Sequence, residues 1–331
     1  MTSNALIIGL IAGAASALLA LSAASGTALS FVLYVLSPAP LLTAMLGWGA
    51  RAGAIAAIVA VALAALLAFS MFGTAKLGVF VALVVASPAL VAGYYLGLAR
   101  PAGEVGGPNG SLAWFPLGGA LFGGFVAIGF GVFALFLLFG VSEDVLREAV
   151  SAMVQGLREA NPQTVIDDAD EAALQDSVLA ILPGATAFAF SMVFSLCVYV
   201  ALFATRVSGR LPRPRDEWPA MLRMPRAALV LLALAFAGDL LLPGMAAKLS
   251  SALSGALSAG FLLAGLARLH HLTRGKPVRP LVLWVTYVAI ALIALPAFAL
   301  FIFGLLDTRP TPLLLSQAAS QGQSIPTQRK D

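Results

Sequence analysis

The sequence predicts an all-α fold, a polytopic bundle of membrane-spanning helices, on three observations. Apolar residues make up 60% of the 331 positions and charged residues 10%, against about 25% charged in soluble domains. The apolar residues come in runs of about 20, the length that crosses a hydrocarbon core about 30 Å thick. The charges sit in islands between those runs, and the islands differ in sign: nine of the 15 acids fall in residues 143–176 and six arginines in residues 206–226. With a mean hydropathy of +0.98, a chain of this length cannot hide its apolar surface in a water-soluble core, so lipid is the solvent for much of it.

Nine segments match a span: 5–24, 28–47, 52–72, 77–99, 113–141, 181–204, 227–242, 249–267 and 281–306. Eight is the alternative, because 227–242 is short and Pro243-Gly244 follows at once; 227–242 and 249–267 form either a full hairpin or a partly re-entrant one. The first run lacks a basic flank and a clear processing site, so it reads as a retained helix rather than a cleaved signal. The 113–141 run is long enough to tilt or to begin as an interfacial turn at Trp114-Phe115-Pro116. Residues 1–306 make one helical bundle. Residues 307–331 make a polar tail with Pro310, Pro312 and Pro326, expected to be disordered.

The 142–180 loop reads as helical. Ser142 suits an N-cap, and Glu143 and Asp144 suit the positive end of the helix dipole. Leu146, Val150, Met153, Val154 and Leu157 recur at three- and four-residue spacing, which makes one face apolar. Asn161-Pro162 stops that helix, and a second runs to about Leu179. The expectation is two short amphipathic helices on the outer surface or over the bundle. Orientation follows from Lys and Arg. Arg51, Arg100, the basic loop at 205–226 (Arg206, Arg210, Arg213, Arg215, Arg223 and Arg226) and the island of Arg268, Arg274, Lys276 and Arg279 fall on one side. That side is assigned to the cytoplasm together with the N-terminus. The acidic 142–180 loop is then periplasmic, and nine spans leave the C-terminus outside.

Small residues at four-residue spacing, Gly9, Gly13 and Ala17 in the first segment and Gly119 and Gly123 in the fifth, make faces on which helix backbones approach closely in lipid. They serve either packing within the chain or docking of a separate membrane subunit. Pro38, Pro40 and Pro88 interrupt the second and fourth segments; the carbonyls they free either bond to neighbours or line a ligand cavity. Asp239, the one acid inside an apolar segment, is either an interfacial anchor or a substrate or proton group. The 206–226 loop reads as a basic anchor on anionic lipid or as a docking loop. The chemistry-bearing motifs are missing. There is no P-loop and no HExxH, and no convincing Ser/His pair. His270-His271 has no Cys or acid nearby, and the single Cys197 excludes disulfide frameworks. No catalytic residue, metal site or cofactor is expected, and the basic residues are loop anchors rather than a nucleic-acid footprint.

Residues 99–117 read Ala-Arg-Pro-Ala-Gly-Glu-Val-Gly-Gly-Pro-Asn-Gly-Ser-Leu-Ala-Trp-Phe-Pro-Leu. With Ser37-Pro38-Ala39-Pro40-Leu41 and Leu46-Gly47-Trp48-Gly49, the chain resembles the YybS-like bacterial membrane family, domain of unknown function 2232, in its alphaproteobacterial branch. The resemblance covers most of residues 1–305. It implies an inner-membrane location. It also implies a distant similarity to the substrate-binding subunits of energy-coupling-factor transporters, which hold a vitamin or metal in a helical bundle and dock through small-residue faces of their first helices. This chain differs in being longer and in its large acidic loop. The leading expectation is a non-enzymatic transport-type subunit that binds an unidentified small molecule between helices one and six, with lipid and other membrane subunits as partners. The alternative is a membrane scaffold or assembly factor that works through protein contacts.

Overall fold

The computed structural model describes residues 3–140, 143–161, 167–293, 295–308 and 311–317. Helix α1 (Ser3–Leu21) ends in a 3-10 turn that Gly26 leaves at φ 64°. The next helix starts with a reciprocal cap: Thr27 accepts from the Ser30 N–H, and Ser30 Oγ accepts from the Thr27 N–H. The second run is α2 (Ala28–Val35) and α3 (Pro38–Trp48), broken at the prolines. Helix α4 is Ala50–Phe72. Helix α5 (Lys76–Phe80) passes through a π segment (Val81–Ala86) into α6 (Ser87–Leu96). A connector with strands β1 (Ala99–Pro101) and β2 (Ser111–Trp114) leads to α7 (Leu117–Phe139). Then come α8 (Glu143–Ala160), α9 (Asp168–Val207), α10 (Trp218–Met221), α11 (Arg226–Leu241), α12 (Gly244–Leu272), α13 (Arg279–Leu292), α14 (Leu295–Leu306) and strand β3 (Leu314–Gln317).

Among the described residues, seven helical stretches are long and apolar enough to cross a membrane: Asn4–Ser25, Ala28–Trp48, Ala50–Phe72, Lys76–Leu96, Leu117–Phe139, Asp168–Val207 and Gly244–Leu272. Helices α13 and α14 would add an eighth if the pair were one span, but they meet at a 118° bend. Helix α11, with 16 residues, is about 24 Å long at 1.5 Å per residue. It falls short of a full span, yet it carries the chain back to the start of α12. Helix α12 lies at the centre, packed on α7, α9, α11 and α14. Phe125, Phe194 and Phe261 from α7, α9 and α12 are among the largest fully buried side chains.

Backbone-to-backbone approach holds the helices together, as lipid-embedded bundles require, since apolar side chains gain little by leaving lipid. A Cβ on Gly265 of α12 would overlap Leu300 O of α14, and one on Gly304 would overlap Phe261 O. The glycines of the two helices thus sit against each other's carbonyls. Gly255 of α12 meets Gly184 O of α9 in the same way. Gly9 and Gly13 seat α1 on Ala52, Ile55, Ala56 and Val59 of α4.

Three sequence expectations need correction. The 281–306 segment is not a straight span. Arg268 near the end of α12 reaches Asp307 at 3.0 Å, and β3 pairs antiparallel with β2. The bent pair therefore starts and ends at the same end of the bundle, and residues 311–317 lie at that end rather than the opposite one. The tail expected to be disordered contributes strand β3; residues 318–331 lie outside the described residues. The second amphipathic helix is the first part of the 40-residue α9, which continues through Pro183. The Ser142 cap lies outside the described residues. The small three-stranded sheet, in the order β1-β2-β3, is an addition to an otherwise helical bundle.

Candidate functional site

The two ends of the bundle are built differently. At one end lie the arginine loop, the 97–116 connector and the C-terminal strand; at the other lies the acidic hairpin of α8 and the start of α9. The arginine end is held by a buried fork. Arg213 Nε and Nη2 donate to the two carboxylate oxygens of Asp216 at 2.7 and 2.6 Å, with the side chains 1% and 2% exposed. Arg213 Nη1 donates to Phe115 O at 2.7 Å and to Leu96 O at 3.4 Å. One guanidinium thus ties the last residue of α6 to the residue two before α7 and closes both ends of the connector. Arg is suited to this because its planar fork satisfies a carboxylate and two carbonyls at once.

A second hub is Asp307. It pairs with Arg268 at 3.0 Å and Arg223 at 3.6 Å, and its side chain is 6% exposed. Arg206 donates to Pro214 O, and Arg210 lies over the Trp48 ring at 5.4 Å. Arg274 donates to Glu217 at 2.9 Å; that hydrogen bond and the accompanying charge hold the exposed Glu217 carboxyl below its ordinary range.

Between the connector and residues 223–226 lies a half-open cavity of about 810 Å3. Leu98, Val105, Trp114, Phe115 and Leu313 supply apolar surface, and Arg100, Arg223 and Arg226 supply charge. Its walls are fixed from behind. Phe115 stacks on Tyr95 with ring centroids 4.8 Å apart. Trp114 Nε1 donates to Ser316 Oγ on β3 at 2.9 Å. Met224 is buried beside Phe125 and Gly260. Gly118 lets the Arg223 carbonyl lie against α7, where any side chain would overlap it. Among the described residues the side chains of Arg100 and Arg226 have no hydrogen-bonding or ion-pairing partner.

The residues singled out from sequence fall mostly elsewhere. Ser16 Oγ of α1 donates to Ser37 O at 2.7 Å, and Cys197 Sγ of α9 contacts Val35 O at 3.2 Å. The carbonyls that the Pro38-Ala39-Pro40 break deprives of their usual donor, Tyr34 O and Leu36 O, accept instead from the Ser37 and Ala39 N–H groups. At Pro88 the π segment absorbs the missing donor, and Ser87 Oγ bonds back to Leu83 O. None of these prolines lines the arginine-end cavity. Gly9, Gly13 and Ala17 are buried against helices of this chain, so they are not a free docking face; Gly123 packs on Val91 and Tyr95. Gly119, beside the Phe115 ring, lines the cavity. Asp239 is exposed near the end of α11, in an open recess with Ser251 and Ser254. Of the six arginines of the basic loop, Arg213 is buried and Arg223 is half-buried and paired, so neither is a free surface anchor.

Sequence reasoning missed Asp216 and Asp307. For Asp216 the available signal was position, an acid inside the basic 206–226 island with Arg213 three residues away; for Asp307, at the end of the last apolar run, the sequence held no comparable signal. No curated protein and no solved structure matches the chain. Residues 14–308, nearly the whole helical part, match the family described as predicted membrane protein DUF2232, and the chain belongs to that family.

Proposed function

We propose that this membrane protein is a non-enzymatic, transport-type subunit that binds a small molecule in the arginine-end cavity, rather than between helices one and six. The cavity carries the reading. At about 810 Å3 it falls in the range of small-molecule sites, roughly 300–1,000 Å3, and it pairs apolar walls with a few polar groups as such sites do. Mass spectrometry of the protein purified in mild detergent tests it. Co-purification of a small molecule that is lost when Trp114 and Phe115 are replaced by alanine is the expected result. An empty cavity together with no transporter subunits would overturn it.

A scaffold reading is favoured by one observation: α8 and the first part of α9 form a charged hairpin in which Val150 and Val154 are buried while Met153 and Leu157 remain exposed. Cross-linking from that hairpin to another membrane protein, with the cavity empty, would support it.

We assign the protein to a bacterial inner membrane with the arginine end in the cytoplasm, because basic loops are retained there. A cysteine at position 170 should label from outside. One at position 215 should label only after the inner face is opened. The reverse pattern would turn the protein over.

A further inference from the structure

We propose that the arginine-end cavity takes an anionic amphiphile: a phosphate-type head against Arg100 and Arg226, with its hydrocarbon portion along Trp114, Phe115 and Leu313. This deepens the binding reading above and rests on it. The charge argument comes first. The described lining residues include three guanidiniums and no acid. Arg223 is already committed to Asp307, which leaves the exposed Arg100, from the connector, and Arg226, from the start of α11, as lining guanidiniums whose side chains have no carboxylate partner among the described residues. An anion in the cavity would meet positive charge from both, with no lining carboxylate to oppose it.

Two helices add to the field. Helices α7 and α11 both begin at the cavity, after Pro116 and Pro225, and neither has a side-chain cap. The positive dipole ends of both helices therefore lie beside the cavity, where they would favour an anion. The backbone that carries Arg226 is held by the Gly118 contact and by buried Met224, so the donors are placed before any ligand arrives. The apolar wall gives the second half of the specificity: it would be wasted on inorganic phosphate, and a neutral lipid would leave the guanidiniums unpaired. The position of the cavity among the loops, at the end of the membrane helices, suits a molecule whose head is wet and whose chain is not.

The test is thermal stability of the detergent-solubilised full chain, titrated with four probes in a neutral maltoside. Dioctanoyl phosphatidylglycerol and octyl phosphate share an anionic phosphate and a chain. Dioctanoylglycerol has the chains without the phosphate, and inorganic phosphate has the anion without a chain. The expected result is a saturable upward shift with one or both anionic amphiphiles. Tighter phosphatidylglycerol points to a membrane lipid, and tighter octyl phosphate to a soluble phosphorylated amphiphile. Half-saturation should weaken about tenfold or more in Arg100→Ala/Arg226→Ala, since each charge-assisted contact is strong, and Arg100→Lys/Arg226→Lys should recover part of it. Both residues are exposed, so both variants should fold. An equal shift with dioctanoylglycerol would overturn the anionic class while leaving the cavity as a binding site. A shift with inorganic phosphate alone would overturn the amphiphile. No shift with any probe would overturn this inference, and the co-purification experiment then decides the broader reading separately.

Discussion

The arginine end and the acidic end carry similar sequence signatures, dense charge between apolar runs, but the structure uses that charge in opposite ways. At the arginine end the guanidiniums turn inward. Arg213 and Asp216 are almost fully buried, and Asp307 draws Arg223 and Arg268 together. At the acidic end the pairs are more open: Arg147–Asp176 at 3.1 Å has side chains 39% and 70% exposed, and Arg158–Glu171 at 3.3 Å is half-exposed, with Glu171 the more sheltered partner. The difference follows from what the two loops must do. The arginine end closes three connections over the helix ends and has to satisfy carbonyls such as Leu96 O and Phe115 O away from water. The acidic hairpin stands clear of the bundle and leaves its charges to solvent. Charge density in a sequence therefore does not reveal whether the charges hold a fold together or merely keep a surface wet.

The largest test of this contrast removes one partner of the buried fork. Arg213→Ala or Asp216→Ala should cost about 3–5 kcal/mol, the usual consequence of leaving one buried charge uncompensated. It should be read as a lower thermal midpoint with faster proteolysis of residues 97–116. A loss below about 1 kcal/mol would mean that water reaches the pair and that the two ends are alike. Next comes the crossing that carries Asp307 into place. Gly265→Leu forces α14 off α12 and should cost about 1–3 kcal/mol by overpacking, with protection of the β3 amides in hydrogen exchange reduced as well. Unchanged protection would show that β3 docks independently of α14.

Smaller effects are expected at the acidic end. Arg147→Ala should change stability by about 0–1 kcal/mol, as exposed pairs do, and 1 M salt should erase the difference; a larger, salt-insensitive loss would show that the hairpin is held as firmly as the arginine loop. The smallest effect belongs to Glu217. Its carboxyl is held low by Arg274, so its contribution is present above the ordinary carboxylate range and fades as pH falls through the lowered folded value. Because the group is fully exposed, Glu217→Gln should leave the thermal midpoint at neutral pH unchanged within error. A pH-dependent drop on acidification in the parent that the variant lacks would mean the loop is more sheltered than its exposure indicates.

What could be read from sequence was what depends on local composition. The apolar runs placed α1, α4, α7 and the core of α12 because a span needs about 20 apolar residues wherever it lies. The three- and four-residue spacing in 146–157 marked α8. Asn161 ended it, and the small residues marked contact faces. The proline break at Pro38 was visible too, but not its outcome: whether a carbonyl at the break, such as Ser37 O, meets Ser16 or a ligand depends on which helix lies beside it. The cavity was not legible, because Arg100, Trp114, Arg226 and Leu313 come together only after α7, α11 and the C-terminal strand have been placed.

The sequence by itself thus determined that this is a membrane bundle, which stretches are helical and where its charges cluster, because the cost of putting polar groups in hydrocarbon acts on each segment separately. Only the tertiary structure decided that Arg213 is buried, that the last apolar run folds back at a 118° bend and that β3 lies against β2, 202 residues apart at Trp114 and Ser316. Those outcomes depend on pairings between distant segments, and a buried charge or an edge strand becomes stable only when its particular partner is already in place.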